Sequence, residues 1–251
     1  MGVLALMYHR TPQDSDHLLD VSMANFRAHV HALQDAGIRF IRFGEAMNHH
    51  WYGAETVVSI TFDDGHASNI QALEFLHNAG LPATSFFVSG YVRDGQHGFM
   101  DTAACRSVST ICEVGSHGAT HTGLSLLPPN ALKEELNSSK SYLEQLCGRQ
   151  LTTLSAPGGA INRRVVNAAQ IAGFAVVGDS ESMLNMSPKL PLHRVCIQKT
   201  HTPEFVVSLA RAGSLHWYGK RLRRAAVLMA ARSLSPGQFE AIRRAFGRKD
   251  Y

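Results

Sequence analysis

The stretch that decides the fold runs from Val57 to Gly65 and reads Val-Val-Ser-Ile-Thr-Phe-Asp-Asp-Gly. Its β-branched and aromatic residues predict a buried strand, and the Asp-Asp-Gly that follows is typical of a turn. Two adjacent carboxylates at the end of a buried strand repel each other unless a positive charge lies beside them. A divalent cation meets that need if one carboxylate binds it and the other acts as a base near a metal-bound water, so the alternatives are a metal site and a plain turn.

Short apolar runs alternate with longer segments of helical spacing on both sides of this strand. The runs predict strands over 3–7, 39–43, 57–62, 84–88, 113–115, 151–155, 174–177 and 195–198, and helices over 22–36, 69–78, 130–146 and 162–172. This alternation indicates an α/β fold with parallel strands, either an open doubly wound sheet or a barrel. In both, functional groups gather at the carboxyl ends of the strands.

Length and composition exclude several classes of protein. The chain has 251 residues, of which 45% are hydrophobic and 18% charged, as expected for a globular protein with one large domain. Its apolar runs are too short to span a membrane. The apolar start over 2–7 predicts a strand rather than a signal peptide, and four cysteines without a CxxC pair favour reduced thiols. We therefore expect a cytoplasmic protein.

Charge is distributed unevenly along the chain. Residues 211–251 carry ten Lys or Arg and two acidic residues, a net charge of +8, whereas residues 1–210 carry −4. We predict a domain over 1–211 and a basic helical extension over 212–251. A helix over 218–232, with basic residues at one end and an apolar stripe, indicates peripheral contact with an anionic membrane, such as the inner face of the cell membrane. The alternative is a solvated helix packed on the domain. No nucleic-acid recognition motif accompanies it, so nucleic acid is not an expected partner.

A second strand is followed by Ser116-His117-Gly118-Ala119-Thr120-His121. Histidines at i and i+4 face the same way on a helical turn and can bind one ion. Together with Asp64 they make a set of one carboxylate and two imidazoles that leaves positions open for water and substrate. The chain has fourteen histidines, so a chance pair is the alternative.

Two further strand ends carry candidate groups. Ser155-Ala156-Pro157-Gly158-Gly159 exposes backbone N–H groups that can receive an oxyanion, with a plain loop as the alternative. Asp179 also follows a strand, where it can orient a catalytic group or bind sugar hydroxyls. Arg194 lies in the last predicted strand region, where an ion pair is one interpretation.

The three motifs, in this order and at these strand ends, resemble the polysaccharide deacetylase (NodB-homology) family over about residues 1–210. The resemblance implies a distorted (β/α) barrel with fewer than eight regular strands. It also implies a single Zn²⁺ ion, or Co²⁺, Ni²⁺ or Fe²⁺, held by Asp64, His117 and His121. Asp63 would be the general base, and the backbone N–H of Gly158 would help to bind the oxyanion.

The sequence departs from the family pattern at one position. Ser155 lies where the family has an arginine that orients the catalytic aspartate, so the orienting group is left open. Ser155, Gly158 and Asp179 are nevertheless predicted to line the substrate site.

The family takes its proton donor from a late histidine in a Leu-x-His motif. His193 opens its predicted strand instead of closing it, and His201 lies in no such motif. His9 follows the first strand, which resembles the subset of the family with an amino-terminal Tyr-His strand. We predict His9 as the general acid; the alternative is that it only fills a strand end.

The sequence therefore predicts a metal-dependent hydrolase that removes N-acetyl groups from amino sugars, in an exopolysaccharide or a lipid-linked glycan precursor. An O-acetyl esterase or a small-molecule amidase could use the same metal site. A third alternative is a glycan-binding protein without activity. The presence of Asp63 argues against it, because a binding protein needs no base beside the metal.

Overall fold

The computed structural model describes residues 2–49, 51, 55–212, 217 and 219. These residues contain seven parallel strands and seven α-helices, joined by loops and short 3-10 helices. The strands are β1 Val3–Tyr8, β2 Val57–Phe62, β3 Ala83–Phe87, β4 Glu113–Ser116, β5 Thr153–Ser155, β6 Val176–Gly178 and β7 Arg194–Cys196. The helices are α1 Met23–Asp35, α2 Ile70–Asn78, α3 Ser89–Arg93, α4 Thr102–Val108, α5 Pro129–Cys147, α6 Arg163–Ile171 and α7 Pro203–Arg211.

The strands lie in the order β6-β5-β4-β3-β2-β1-β7. A parallel bridge between Gly178 and Leu192 brings the two edges of this sheet together, and Asp179 N–H donates to the Leu192 carbonyl at 3.0 Å. The strands are therefore nearly closed into a ring, which confirms the predicted (β/α) barrel with fewer than eight strands among the described residues. Each strand pairs in parallel, so all of them end at one edge.

Apolar side chains fill one end of the barrel. Val3, Val57 and Phe86 belong to a buried cluster that Phe43 also joins. Phe43 begins a short 3-10 helix, Phe43–Asn48, which contacts β2, β3 and β6. Burial of this cluster leaves the opposite edge, where the strands end, for polar groups.

The prediction of a strand over 39–43 was wrong. This segment forms only an isolated bridge between Phe40 and Val58 before the 3-10 helix begins. Phe43 N–H donates to Thr84 Oγ1 at 2.9 Å, and Gly44 N–H donates to Glu113 Oε2 at 3.0 Å. Because these side chains take the backbone donors, the segment bends towards the strands instead of extending the sheet.

The four predicted helices are present, with each end within one residue of the predicted one. Ser22 caps α1 by accepting the N–H of Asn25 at 3.2 Å, and Gly148 ends α5 in the left-handed conformation. Helices α3, α4 and α7 were not predicted from the sequence. The first two have only five and seven residues, too few to show a clear apolar period.

The chain divides into two units, Met1–Arg211 and Ala212–Tyr251. The predicted basic helix over 218–232 lies outside the described residues apart from Gly219, so its contact with an anionic membrane stays a prediction. None of the helices in the described ranges is long and apolar enough to cross a membrane. All four cysteines are free thiols.

Gly115 in β4 gives a test of the barrel's packing. A Cβ at this position would lie 2.5 Å from the ring of Phe86 and 2.6 Å from Thr153 Oγ1. We expect Gly115→Ala to lower the free energy of unfolding by about 1–3 kcal/mol because the buried neighbours must move. Denaturant unfolding of the purified protein measures this.

Gly123→Ala is the matched control. Its Cβ would meet nothing closer than 3.4 Å, and its φ of −57° suits any residue. This variant should be no less stable than the wild-type protein, since alanine restricts the unfolded chain more than glycine does. Equal stability of both variants would contradict the packing described for β4.

Candidate metal centre

The candidate site lies at the carboxyl edge of the barrel. Asp63 N–H donates to the Tyr8 carbonyl at 2.9 Å, so His9 and Asp63 follow two neighbouring strands at the same level. His117 N–H donates to the Phe87 carbonyl at 2.8 Å. Parallel strands thus bring three sequence motifs, far apart along the chain, to one place.

Asp64, His117 and His121 converge on a common point. Asp64 Oδ1 lies 3.3 Å from His117 Nε2 and 3.2 Å from His121 Nε2, and one possible ligand atom from each residue lies within 4.8 Å of the others. Asp64 and His121 have positive φ angles of 69° and 61°. A non-glycine residue rarely adopts this conformation, and such strain is concentrated at functional sites.

The sequence predicted that His117 and His121 lie on a helical turn. This prediction was wrong. Residues 117–121 form an irregular loop in which Gly118 has a φ of 78°. Ala119 N–H and Thr120 N–H both donate to Glu135 Oε1, at 2.8 and 2.7 Å. Because this carboxylate on α5 takes the backbone donors, the loop folds back and returns His121 to the side of His117.

The protonation of His117 suits a metal ligand. Its Nδ1 lies 3.0 Å from the Ser155 carbonyl oxygen, which can only accept a hydrogen bond, so Nδ1 carries the proton. In the neutral ring, Nε2 then presents a lone pair towards Asp64. A histidine ligand is commonly oriented in this way, by a backbone carbonyl on its other nitrogen.

The three residues fit a divalent ion. Asp64 Oδ1 is buried and has no hydrogen-bond partner among the described residues. Ligands about 2.0–2.1 Å from a tetrahedral zinc ion are about 3.3–3.4 Å apart, close to the two separations between Asp64 and the imidazoles. A buried carboxylate oxygen that accepts no hydrogen bond is available to bind a cation.

Asp63 faces a different partner. It is 2% exposed, and its two carboxylate oxygens accept hydrogen bonds from the two terminal nitrogens of Arg194 at 2.6 and 2.8 Å. Ser155 Oγ donates to Asp63 Oδ2 at 3.1 Å. Burial acts to raise the pKa of Asp63, but the charge of Arg194 outweighs it, so the pKa lies below its ordinary value.

The sequence draws attention to Arg194 but does not predict its contact with Asp63. The signal was present, because a charged residue between Leu192 and Val195 interrupts an apolar run. Its partner is 131 positions away, and only the closed barrel brings the two together. Glu135 was missed altogether, since nothing in the helix sequence singles it out.

His9 lies half-buried beside these carboxylates. Burial lowers the pKa of His9, and the charges of Asp63 and Asp64 act in the opposite direction. Its Nδ1 lies 3.9 Å from Cys196 Sγ. The structure therefore places His9 at the same edge as the base, and its role as the acid stays a prediction.

The other candidate histidines have different surroundings. His193 Nδ1 lies 3.0 Å from Asp179 Oδ2 and 3.8 Å from Glu181 Oε2. The first distance is that of a hydrogen bond, and one possible ligand atom from each of these three residues lies within 4.8 Å of the others. His201 accepts the N–H of Gln198 at 3.2 Å.

The predicted substrate-lining residues differ in exposure. Ser155 and Asp179 are buried, and their side chains contact Asp63 and His193 respectively. Gly158 is exposed and has a φ of 66°, with nothing within 4 Å of where a Cβ would lie. Gly159 is required by close approach, because a Cβ there would lie 2.2 Å from Ser180 Oγ. Contact of Ser155, Gly158 and Asp179 with substrate stays a prediction.

A row of rings borders the metal ligands. Tyr91 lies 6.1 Å from His121 and 4.5 Å from Phe99, between ring centroids, and Phe99 lies 5.5 Å from His66. The Met100 N–H donates to the Gly65 carbonyl at 2.9 Å, which ties this segment to the turn after β2. The three rings of Tyr91, Phe99 and His66 are partly exposed, and the sequence analysis did not identify them.

A (β/α) barrel with one carboxylate and two imidazoles at its carboxyl edge, beside a second carboxylate, has the layout of a metal-assisted hydrolase. Residues 52–177 match the sequence profile of the family described as polysaccharide deacetylase, which is half of the chain. The chain belongs to the polysaccharide deacetylase family.

Comparison with individual proteins agrees with this. The chain is 30% identical over 176 residues to "Putative polysaccharide deacetylase YxkH" of Bacillus subtilis (strain 168), a match that covers 67% of this chain and 61% of that protein. BC0361, a polysaccharide deacetylase from Bacillus cereus, is 25% identical with a TM-score of 0.70, over 84% of this chain and 69% of the other. The structure of IcaB from Ammonifex degensii has the same fold, with a TM-score of 0.75 at 22% identity over 84% and 97% of the two chains.

Glu135 allows the geometry of the histidine loop to be tested. We expect Glu135→Ala to weaken Zn²⁺ binding by about 10–100-fold, because the backbone N–H groups that hold the loop lose their acceptor. Competition with a coloured chelator measures the affinity. Glu134→Ala, an exposed acid one position earlier on α5, is the control and should bind Zn²⁺ like the wild-type protein. Equal affinities in both variants would show that Glu135 does not position the ligands.

Proposed function

We propose that this protein is a metal-dependent deacetylase that removes N-acetyl groups from amino sugars of a polysaccharide or a lipid-linked glycan precursor. The observation that carries the proposal is the pair of adjacent carboxylates with separate partners. Asp64 faces His117 and His121, and Asp63 is held by Arg194. One carboxylate is thereby available to a cation and the other to a proton.

A divalent ion held by Asp64, His117 and His121 would polarise the acetyl carbonyl and acidify a water molecule. Asp63 lies next to this point, with Oδ2 4.0 Å from His117 Nε2. Its carboxylate is kept ionised and fixed in orientation, so it accepts the proton that water loses as its oxygen attacks the carbonyl carbon. A backbone donor at Gly158 stabilises the negative charge on the carbonyl oxygen.

Cleavage of the C–N bond also needs a proton, because an amine leaves poorly as an anion. His9 lies at the same edge of the barrel and delivers that proton to the nitrogen. Acetate and the free amino sugar result, so the atoms and charges balance. An ester oxygen leaves more readily than an amine, and a placed proton donor therefore favours amide over ester as the substrate.

The ring row of Tyr91, Phe99 and His66 supports a sugar as the substrate. Binding sites combine flat apolar surfaces with a few polar groups that fix orientation. The rings border His121 and can cover one face of a sugar ring whose acetamido group reaches the metal. A substrate in the cytoplasm or at the membrane is predicted from the sequence only.

Acetate release from an N-acetylhexosamine oligomer tests the metal requirement. We expect a chelator to abolish release and added Zn²⁺ to restore it, since the ion is needed to activate water. Asp63→Asn should bind Zn²⁺ normally and lose about 10²–10⁴-fold in kcat, as expected for removal of a general base. Full activity after chelation, or in Asp63→Asn, would refute the proposed mechanism.

The acid is tested with two substrates that differ in leaving group. We expect His9→Ala to lower kcat about 10²-fold or more on the N-acetylated oligomer but to have a much smaller effect on 4-nitrophenyl acetate, whose leaving group needs no proton. His193→Ala and His201→Ala are the matched comparisons. If either of these shows the substrate-dependent loss and His9→Ala does not, the acid is assigned to that residue instead.

A further inference from the structure

Arg194 fills the interior of the barrel between β7 and the site. It is fully buried, and its backbone pairs with Ala5 of β1. All five of its N–H donors have acceptors. Nε donates to the carbonyl of Asp179 at 3.0 Å, and Thr61 Oγ1 lies 3.3 Å from one terminal nitrogen. The remaining donors reach Asp63, at 2.6 and 2.8 Å, and Ser155 Oγ at 2.6 Å.

These contacts fix the plane of the guanidinium group. Its carbon lies 5.2 Å from the centre of the Phe86 ring, and a Cβ at Gly178 would approach Nε to 3.0 Å. A planar fork that bonds both oxygens of Asp63 also fixes the plane of that carboxylate. A single ammonium group would leave the carboxylate free to rotate.

Ser155 is part of the same arrangement. Its hydroxyl accepts from Arg194 and donates to Asp63, so it bridges the two without adding charge. An arginine at position 155 would bring a second guanidinium group into the space that Arg194 occupies. An arginine at either position, 155 or 194, can therefore place one positive charge beside Asp63.

We propose that Arg194 is the positioning residue for Asp63, and that it does from β7 what the family pattern assigns to an arginine at position 155. This inference rests on the proposed function, in which Asp63 is the base. It explains how Asp63 is oriented in a chain with Ser155 at the family's arginine position.

Kinetics of Arg194→Met and Arg194→Lys test the proposal, with acetate release as the assay. A misplaced base costs about 10²-fold in kcat, so both variants should lose about that much while KM and Zn²⁺ content stay near wild-type values. Arg149→Met is the control. Arg149 is an exposed arginine away from the site that donates to the Cys112 carbonyl at 3.0 Å, and its loss should leave kcat unchanged.

A double-mutant cycle separates positioning from a structural role. If Arg194 acts through Asp63, Arg194→Met should lower kcat little further in the Asp63→Asn background. If it acts by supporting the barrel, the two losses should multiply. Moving the charge is a second test, since Ser155→Arg combined with Arg194→Met should recover at least about tenfold of the activity lost by Arg194→Met.

A crystal structure of Arg194→Lys gives a readout that does not depend on activity. We expect the Asp63 carboxylate to turn out of its wild-type plane while Asp64, His117 and His121 keep their positions. An unmoved carboxylate, wild-type kcat in Arg194→Lys, or multiplying losses in the cycle would overturn the proposal. Absence of acetate release from the wild-type enzyme would instead count against the proposed function, and the carboxylate's orientation would still decide the role of Arg194.

Discussion

The two-pronged contact between Arg194 and Asp63 is the interaction on which the rest of the site depends. Two neighbouring carboxylates at the end of a buried strand repel each other, and burial alone would protonate one of them. The guanidinium group pairs with Asp63, whereas Asp64 faces the imidazoles. A single counter-charge thus gives two chemically identical side chains different roles.

The backbone around the ligands is held in costly conformations by ordinary contacts. Asp64 and His121 have left-handed φ angles, and the loop between the histidines depends on the Glu135 carboxylate. Such strain costs about 1–3 kcal/mol per residue and persists only where the surroundings enforce it. The apolar filling of the opposite end of the barrel, around Val3 and Val57, stabilises the fold against that cost.

The sequence predicts those features that are encoded by neighbouring residues in one short segment. Buried strands followed at once by Asp-Asp-Gly or by a histidine pair place the chemistry at one edge, and the barrel follows from the alternation of strands and helices. Contacts between residues that only barrel closure brings together are not predictable in this way. Arg194 meets Asp63 across 131 positions, and the strand expected over 39–43 gives way to a 3-10 helix because side chains on other strands capture its donors.

The position of Arg194 on the last strand has a consequence for biosynthesis. At about 5–20 residues per second, the ribosome synthesises Arg194 about 7–26 seconds after Asp63. Until β7 is made the nascent sheet lacks its interior cation, and once β6 is complete its two edges, β1 and β6, are unpaired. Pairing of β7 with β1 adds the missing backbone hydrogen bonds and brings Arg194 to Asp63. Barrel closure and neutralisation of Asp63 therefore occur in the same step.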